Sequence, residues 1–346
     1  MRVARFHAPE DIRIEDAPEP TPGAGDVKIR VRACSTCGTD VKISRFGHKN
    51  MTPPRVMGHE IAGEVVEVGA DVTGWAPGDR VQVIAAIPCG KCADCLAGHM
   101  TICPNQTSMG FQFDGGFAEF MIVPKVVLDV DGLNRIPEGV SYAEASVAEP
   151  LACAINAQEL VQVEPGNDVV VIGSGPIGCL HVRVAKSRGA VRVFLVELSR
   201  ERLDLGAAIV HPDAAICAAE EDPIDAVLKL TDGRGADVII TAAASGKAQE
   251  QALQMVARRG RISFFGGLPK TDPTITLDSN LVHYSELMII GANGSSPSHN
   301  KRALAMIADG SVPVKDLITH RLSLEQVLDG IGIVSRGEAI KVTIEP

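Results

Sequence analysis

Two textures of apolar patterning divide the chain. Val27-Lys28-Ile29-Arg30-Val31-Arg32 alternates apolar and polar residues strictly, which predicts a strand with one face in a core and the other in water. Glu64-Val65-Val66-Glu67-Val68-Gly69 and Asp79-Arg80-Val81-Gln82-Val83-Ile84 read as further short strands closed by turn residues. Residues 1–150 are rich in Pro, Gly and β-branched side chains. Many short strands between glycine turns predict a barrel-like β domain with a few helices.

From about residue 160 the pattern changes. Asp168-Val169-Val170-Val171-Ile172 is a continuous apolar run, as expected of a parallel strand covered on both faces. A helical pattern follows from Pro176 through Arg188, then a second apolar strand, Arg192-Val193-Phe194-Leu195-Val196. Runs at 236–241, 261–265 and 286–290 repeat the alternation of strand and helix, which predicts a doubly wound α/β domain. After Gly291 come a loop, a helix around residues 301–309 and a last strand, Ile340-Lys341-Val342-Thr343-Ile344, expected to rejoin the first domain. The expected boundaries are 1–154 for the β-rich domain, 155–290 for the α/β domain and 291–346 for the returning segment.

Composition narrows the function. The chain has 346 residues, 45% hydrophobic and 22% charged, enough for two domains with separate cores. It has no run of about 18 apolar residues to span a bilayer, so no membrane partner is expected. The opening MRVARFHAPEDIRIED carries charges throughout and lacks the apolar core of a secretory signal, so a cytoplasmic protein is expected. Nine cysteines in that setting point to reduced thiols and metal ligation rather than disulfides. A net charge of −10 argues against nucleic acid, whose phosphates demand a basic face. Aromatics at 3% disfavour stacking platforms for sugars or bases.

The densest chemical signal is Cys89, Cys92, Cys95 and Cys103, a C-x2-C-x2-C-x7-C run. Four thiolates at these gaps can wrap one Zn²⁺ tetrahedrally and leave no open position, which makes a structural clip of a lobe at about 86–106. Iron–sulfur ligation uses similar spacings and is the competing reading. A second signal is Gly173-Ser174-Gly175-Pro176-Ile177-Gly178, a G-x-G-x-x-G that follows a buried strand and opens a helix. There the glycines let backbone approach a pyrophosphate at a helix N-terminus. Glu197 ends the next strand, 19 residues after Gly178, where a carboxylate receives the adenosine ribose hydroxyls. A carboxylate there repels a 2′-phosphate, favouring NAD over NADP, although Arg200 and Arg202 could offset the repulsion.

Upstream, Cys37-Gly38-Thr39-Asp40 and Gly58-His59-Glu60 supply borderline and hard ligands, and Ala148-Glu149-Pro150 adds a carboxylate. Cys37, His59 and one or two glutamates suit a catalytic Zn²⁺ with an exchangeable position. Cys34-x2-Cys37 could instead be a redox pair, but no thioredoxin-like pattern accompanies it.

In this order the motifs resemble the zinc-dependent medium-chain alcohol and polyol dehydrogenases, especially the sorbitol (iditol) and threonine dehydrogenase branches. The resemblance runs through essentially the whole chain. It takes in Cys37–Asp40, Gly58-His59-Glu60-x-x-Gly63 running on to Gly69, Gly78-Asp79-Arg80-Val81 and the four-cysteine lobe. Beyond these come Gly115-Gly116-Phe117-Ala118-Glu119-Phe120, Glu149-Pro150-Leu151 and the dinucleotide fingerprint. It implies a GroES-like β-rich catalytic domain joined to a Rossmann dinucleotide-binding domain, with two zinc ions per chain, one catalytic and one structural. By resemblance Cys37, His59 and Glu60 hold the catalytic zinc with water, and Glu149 falls where some relatives place another ligand. Thr39 matches the hydroxyl that meets the substrate oxygen and begins a proton relay. Many relatives end that relay with a histidine where this chain has Lys42, which is expected either to take the histidine's place in the relay or to hydrogen-bond the cofactor ribose or phosphate. Gly173, Gly175, Pro176, Ile177, Gly178, Glu197 and Arg202 are the expected dinucleotide contacts, and the polar loop 292–300 is expected near the nicotinamide.

The implied activity is reversible oxidation of a secondary alcohol, a polyol or sugar derivative, to a ketone with hydride transfer to NAD(P). Oxidation of a 3-hydroxy amino acid, as in L-threonine 3-dehydrogenase, is the alternative within the class. A non-catalytic, dinucleotide-sensing zinc protein is the alternative outside it. The family implies a homotetramer or homodimer.

Overall fold

In the computed structural model, which describes residues Met1–Pro346, the alternating Val27–Arg32 segment lies within a longer strand, Val27–Ser35. Within Val27–Arg32 the alternation fails at one position. Lys28 is buried because its ammonium pairs with Glu19 at 2.5 Å, lies 3.7 Å from Glu67 and stands over the Phe120 ring, 5.4 Å from its centroid. A long amphipathic side chain can bury its methylenes wherever the head finds a carboxylate.

The chain forms two compact units, Met1–Ala152 with Gly294–Pro346, and Cys153–Asn293. In the first, Val27–Ser35 is central to a seven-stranded sheet, flanked by the strands Glu60–Val68 and Lys341–Glu345. The last strand of the chain therefore lies beside one of the first. Ser35 Oγ meets Ser146 Oγ at 2.6 Å and Thr343 Oγ1 at 3.0 Å, all three buried. The returning helix Pro297–Ala308 is tied in the same way, with Gln82 Nε2 donating to Asn300 Oδ1 at 3.1 Å. These polar groups are satisfied inside the unit and so fix one register for the returning segment.

The second unit is a six-stranded sheet, parallel throughout. Its order is Ala214–Cys217, Arg192–Glu197, Asp168–Ile172, Ala236–Thr241, Val256–Phe264, Met288–Gly291. Numbered by sequence that is 3-2-1-4-5-6, the Rossmann order. The run Asp168–Ile172 is buried at every residue, as a continuous apolar strand requires. Each unit has its own apolar core. No helix is long and apolar enough to cross a membrane.

Candidate metal centres and dinucleotide turn

Cys37 follows the central strand and caps the helix Gly38–Phe46. Its backbone N–H donates to Asp40 Oδ2 at 2.8 Å, which turns Asp40 inward. Gly58, at φ +89, swings the chain so that His59 and then Glu60, the first residue of its strand, face the same pocket. The ligand atoms of Cys37, His59 and Glu60 lie within 4.8 Å of one another. Thr39 is half-buried in the first turn of the same helix, and Lys42 is exposed one turn further on. Glu149 is buried in the first turn of the helix Ala148–Leu160 and is not among the three convergent ligands.

The charges converge as tightly as the ligands. His59 Nδ1 lies 3.7 Å from Asp40 Oδ1, a charge contact rather than a hydrogen bond. Burial on its own would lower the His59 pKa, but the Asp40 carboxylate, with Cys37 and Glu149, holds it well above its usual value. Burial pushes the Glu60 carboxyl up to about 7, against the pull of Lys341 and with a further push from Glu149. Lys341, fully buried, donates to Glu60 Oε1 at 2.6 Å and to the Thr36 carbonyl at 2.9 Å. Asp40 Oδ1 and Glu60 Oε2 are buried and meet their partners, His59 Nδ1 at 3.7 Å and the Lys341 ammonium, as ion pairs. Three carboxyls and a thiol around one imidazole and one ammonium make a pocket short of positive charge. The mixed S, N and O donor set and the excess of acid over base fit a divalent zinc with one open position.

The four-cysteine lobe is bracketed by a two-stranded ladder, Ala86–Ile87 with Thr107–Ser108. Its four sulfurs lie within 4.8 Å of one another, with Cys92 Sγ 3.8 Å from Cys103 Sγ. The Lys91 N–H, with that of Cys92, draws the Cys89 thiol down to about 6, while burial pushes Cys95 up to about 12. A cation that takes all four as thiolates resolves that unequal sharing of protons. Cys34 joins neither set. It is fully buried, and burial raises its thiol well above the usual range, so it offers no thiolate for exchange with Cys37.

In the second unit the turn after Asp168–Ile172 is closed by contact. A Cβ on Gly178 would sit 1.7 Å from the Gly173 carbonyl oxygen, so only glycine lets the helix Pro176–Ser187 start so close to its strand. Glu197 locks this turn. Its Oε2 accepts from Ser174 N–H at 2.9 Å and Ser174 Oγ at 3.2 Å, and its Oε1 from Leu198 N–H at 2.7 Å. Burial alone would raise its pKa, but the N–H groups of Ser174, Ser199 and Leu198, with Arg202, hold it below the usual range. Glu197 is therefore ionised. A cavity of about 240 Å³ beside it is lined by Gly173, Leu198, Ser245, Lys247 and Met255 among others. An Arg202 guanidinium nitrogen lies 3.0 Å from where a Gly175 Cβ would stand. Arg200 points elsewhere, paired with Glu220 and Asp204.

Residues 23–130 match the family model for the alcohol dehydrogenase GroES-like domain, and residues 176–309 match that for zinc-binding dehydrogenases. A sorbitol dehydrogenase from Halalkalibacterium halodurans is 34% identical across 99% of this chain and 98% of its own length. The chain belongs to the zinc-binding medium-chain alcohol dehydrogenase family. An L-threonine 3-dehydrogenase of the family, from Pyrococcus horikoshii, is 37% identical across 87% of this chain and 85% of its own. The solved zinc-binding dehydrogenase of Sinorhizobium meliloti 1021, bound to NADP, superposes with a TM-score of 0.91 at 29% identity, covering 100% of this chain and 99% of that one. The GroES-like and Rossmann architecture expected from the motifs is thus the fold of this family member. Its activity is that of a zinc-containing, NAD(P)-dependent dehydrogenase acting on CH–OH groups.

Two groups that shape the metal pocket escaped the sequence reading. Asp40 stood in plain view as a possible ligand, yet its position three residues after Cys37 marks it as a capping carboxylate aimed back at the helix start. Lys341 gave one faint signal, a charge between Ile340 and Val342 in a strand otherwise apolar at its start. Nothing local says that it reaches Glu60.

Proposed function

We propose that this dehydrogenase oxidises a secondary alcohol of a polyol or sugar derivative reversibly to the ketone, moving a hydride from the carbinol carbon to NAD and a proton to solvent. The convergence of Cys37, His59 and Glu60, with Thr39 in the adjoining turn, carries this reading. Cys37, His59 and Glu60 hold the catalytic metal and leave a fourth position for substrate. A zinc ion bound there supplies a Lewis acid that polarises the carbinol oxygen and makes its proton easier to remove. Asp40 sets a negative charge against the Nδ1 edge of His59. Lys341 balances the Glu60 charge. The Thr39 hydroxyl takes up the substrate proton and passes its own outward. Lys42, exposed on the same helix, contacts the dinucleotide in this scheme rather than carrying the proton. Glu149 acts through its charge. Cys89, Cys92, Cys95 and Cys103 hold a second, structural zinc.

The ionised Glu197 favours NAD, because a 2′-phosphate would meet a fixed negative charge and Arg200 is already paired. The acids of the metal pocket favour a polyol over an amino alcohol. Asp40 and Glu60 are both committed, to His59 and to Lys341, so a substrate ammonium would compete with an existing partner. The L-threonine 3-dehydrogenase relative keeps oxidation of a 3-hydroxy amino acid as the second reading. A cytoplasmic homotetramer, or a homodimer, completes the proposal. The edge strand Met288–Gly291 has no neighbour on its outer side, and Met288 and Tyr284 are exposed beside it.

Zinc analysis with a screen of polyols, sugar phosphates and amino alcohols against both dinucleotides tests this reading. Two zinc ions per chain and NAD reduction with a polyol are expected. Turnover of threonine alone would install the second reading. One metal, tight dinucleotide binding and no turnover would make the protein a sensor. Light scattering reads the assembly.

A further inference from the structure

The short strand that leads to His59, Arg55–Val56, carries an arginine with unused donors. The Arg55 side chain is half-buried, and only its Nη1 donates to the protein, to Asp114 Oδ1 at 3.1 Å. Its Nε is buried with no hydrogen-bond partner. A guanidinium presents Nε–H and an Nη2–H side by side as a fork for a carboxylate. That edge of Arg55 is left over once Asp114 has taken Nη1. A buried N–H without an acceptor is costly, and native structures leave few of them. The position calls for an acceptor that the chain does not supply.

Arg55 and Asp114 line a cavity of about 240 Å³. Cys37, Thr39, His59 and Glu60 are not on its wall, so it is separate from the metal pocket. The space is more than about ten times what one water needs. Phe113, Phe120 and Met121 give it apolar sides, which suit a flat ring. Arg5, the other guanidinium on the wall, is already paired with Glu15 at 2.5 Å. Asp114 sets the charge of the ligand. A monoanion can share the guanidinium from its free edge, whereas the two charges of a phosphate monoester would double the repulsion from that acid.

The wall is fastened to the backbone that precedes His59. Asp114 Oδ1 also accepts from Val56 N–H at 3.1 Å. Gly115 N–H donates to the Val56 carbonyl at 2.9 Å, Gly116 N–H to that of Gly58 at 2.9 Å, and Phe117 N–H to that of Met57 at 3.0 Å. A Cβ on Gly115 would stand 2.1 Å from the Gly58 oxygen, so the approach is possible only for glycine.

We propose that this cavity is a second small-molecule site, taking a compact aromatic carboxylate. Its oxygens accept from the Nε and Nη2 edge of Arg55 while its ring lies against Phe113 and Met121. Occupancy braces the segment from Arg55 to His59 through the contacts of Asp114 and Gly115.

The test uses the zinc-loaded protein with benzoate as the probe, acetate for the carboxylate alone and phenyl phosphate for the doubly charged head. Calorimetry gives the affinities, and amide hydrogen exchange reads the backbone. Benzoate should bind more tightly than either of the other two. Arg55→Lys keeps a charge for Asp114 but loses the fork, so the Kd for benzoate should rise about ten-fold or more. Phe113→Ala should weaken benzoate and leave acetate unchanged. Asp114→Asn removes the competing charge and should tighten benzoate, an effect opposite in sign to that of a damaged fold. With benzoate saturating, the amides of Gly115, Gly116 and Phe117 should exchange about ten-fold or more slowly. No benzoate binding, or phenyl phosphate binding more tightly than benzoate, would overturn the proposal. Benzoate that survives Arg55→Lys and is displaced by a substrate alcohol would sit on the zinc instead, which overturns the site. Unchanged exchange at saturation would overturn the bracing.

Discussion

Replacing Lys341 with Met removes an ammonium of nearly the same length from a site where it touches no water. Lys341 and Glu60 are 2% and 0% exposed, and the ammonium donates to Glu60 Oε1 at 2.6 Å and to the Thr36 carbonyl at 2.9 Å. Deleting one partner of a buried ion pair costs about 3–5 kcal/mol, because the other charge is left uncompensated. In the metal-free protein Lys341→Met should therefore lose up to about that much stability at alkaline pH, where the Glu60 carboxyl, pushed up to about 7 by burial, is ionised in wild type. With zinc bound, the dication supplies the missing positive charge, and the loss should shrink to about 1 kcal/mol, the scale of the lost hydrogen bond to Thr36. Linkage turns that difference into affinity, so zinc should bind the variant's native state about ten-fold or more tightly than wild type. Denaturant titration of the metal-free and zinc-loaded forms measures the stabilities, and competition with a chelator measures the affinity. Adding Glu60→Gln to Lys341→Met should relieve most of the destabilisation in the metal-free form. Equal losses with and without zinc, or no relief from the second substitution, would refute the reasoning.

The two zinc sites should separate under mutation. Cys89→Ser is expected chiefly to lower stability and Cys37→Ser to abolish turnover with the fold intact, so equal losses of melting temperature and metal in the two variants would contradict the assignment. Glu197→Ala removes hydrogen bonds to a charged group, each worth about 1.5–3 kcal/mol. NAD affinity should fall about ten-fold or more while NADP improves relative to it, as fluorescence titration would read. Lys42→Ala should mainly raise KM for the dinucleotide; loss of a basic limb from the pH profile of kcat, restored by small amines, would make it a relay instead. His181 is fully buried, and burial lowers its pKa to about 3 from an ordinary 6.5. Its native state refuses a proton that the unfolded chain accepts, so stability should be complete above about pH 6.5 and decline towards pH 3 by about 1.4 kcal/mol per pH unit. His181→Gln should flatten that slope between pH 6 and 4, measured by denaturation of the metal-free protein.

Legibility in the sequence followed distance along the chain. The Rossmann strands were legible because a strand buried on both faces announces itself in five consecutive residues, as Asp168–Ile172 does. The glycine turn was legible because Gly173, Gly178 and Glu197 lie within a single strand–helix–strand unit. Cys37, His59 and Glu60 emerged from motif order rather than from periodicity. What escaped was set by neighbours far off in sequence. Lys28 reads as a solvent-facing strand position until Glu19 and Glu67 are seen around it. Arg200 reads as a candidate phosphate partner until Glu220 is seen to hold it. Lys341 reaches Glu60 across 281 residues, and Asp114 reaches Arg55 through a loop docked by backbone hydrogen bonds. No local pattern encodes either meeting.

The place of the Lys341–Glu345 strand beside Val27–Ser35 also sets a timetable for synthesis. When Cys37, His59 and Glu60 leave the ribosome, the strand carrying their counter-charge has not been made, and the whole of Cys153–Asn293 must be translated first. Lys341 follows Glu60 by 281 residues, so at about 5–20 residues per second the delay is some tens of seconds. The nascent ligands spend it as an acidic, thiol-bearing half-site without the Lys341 ammonium. The dinucleotide unit, contiguous in sequence, can meanwhile fold and bind its ligand. The order of assembly is thus written into the topology: dinucleotide unit first, metal pocket last, with the pocket's electrostatic balance completed only when the final strand slides into its slot.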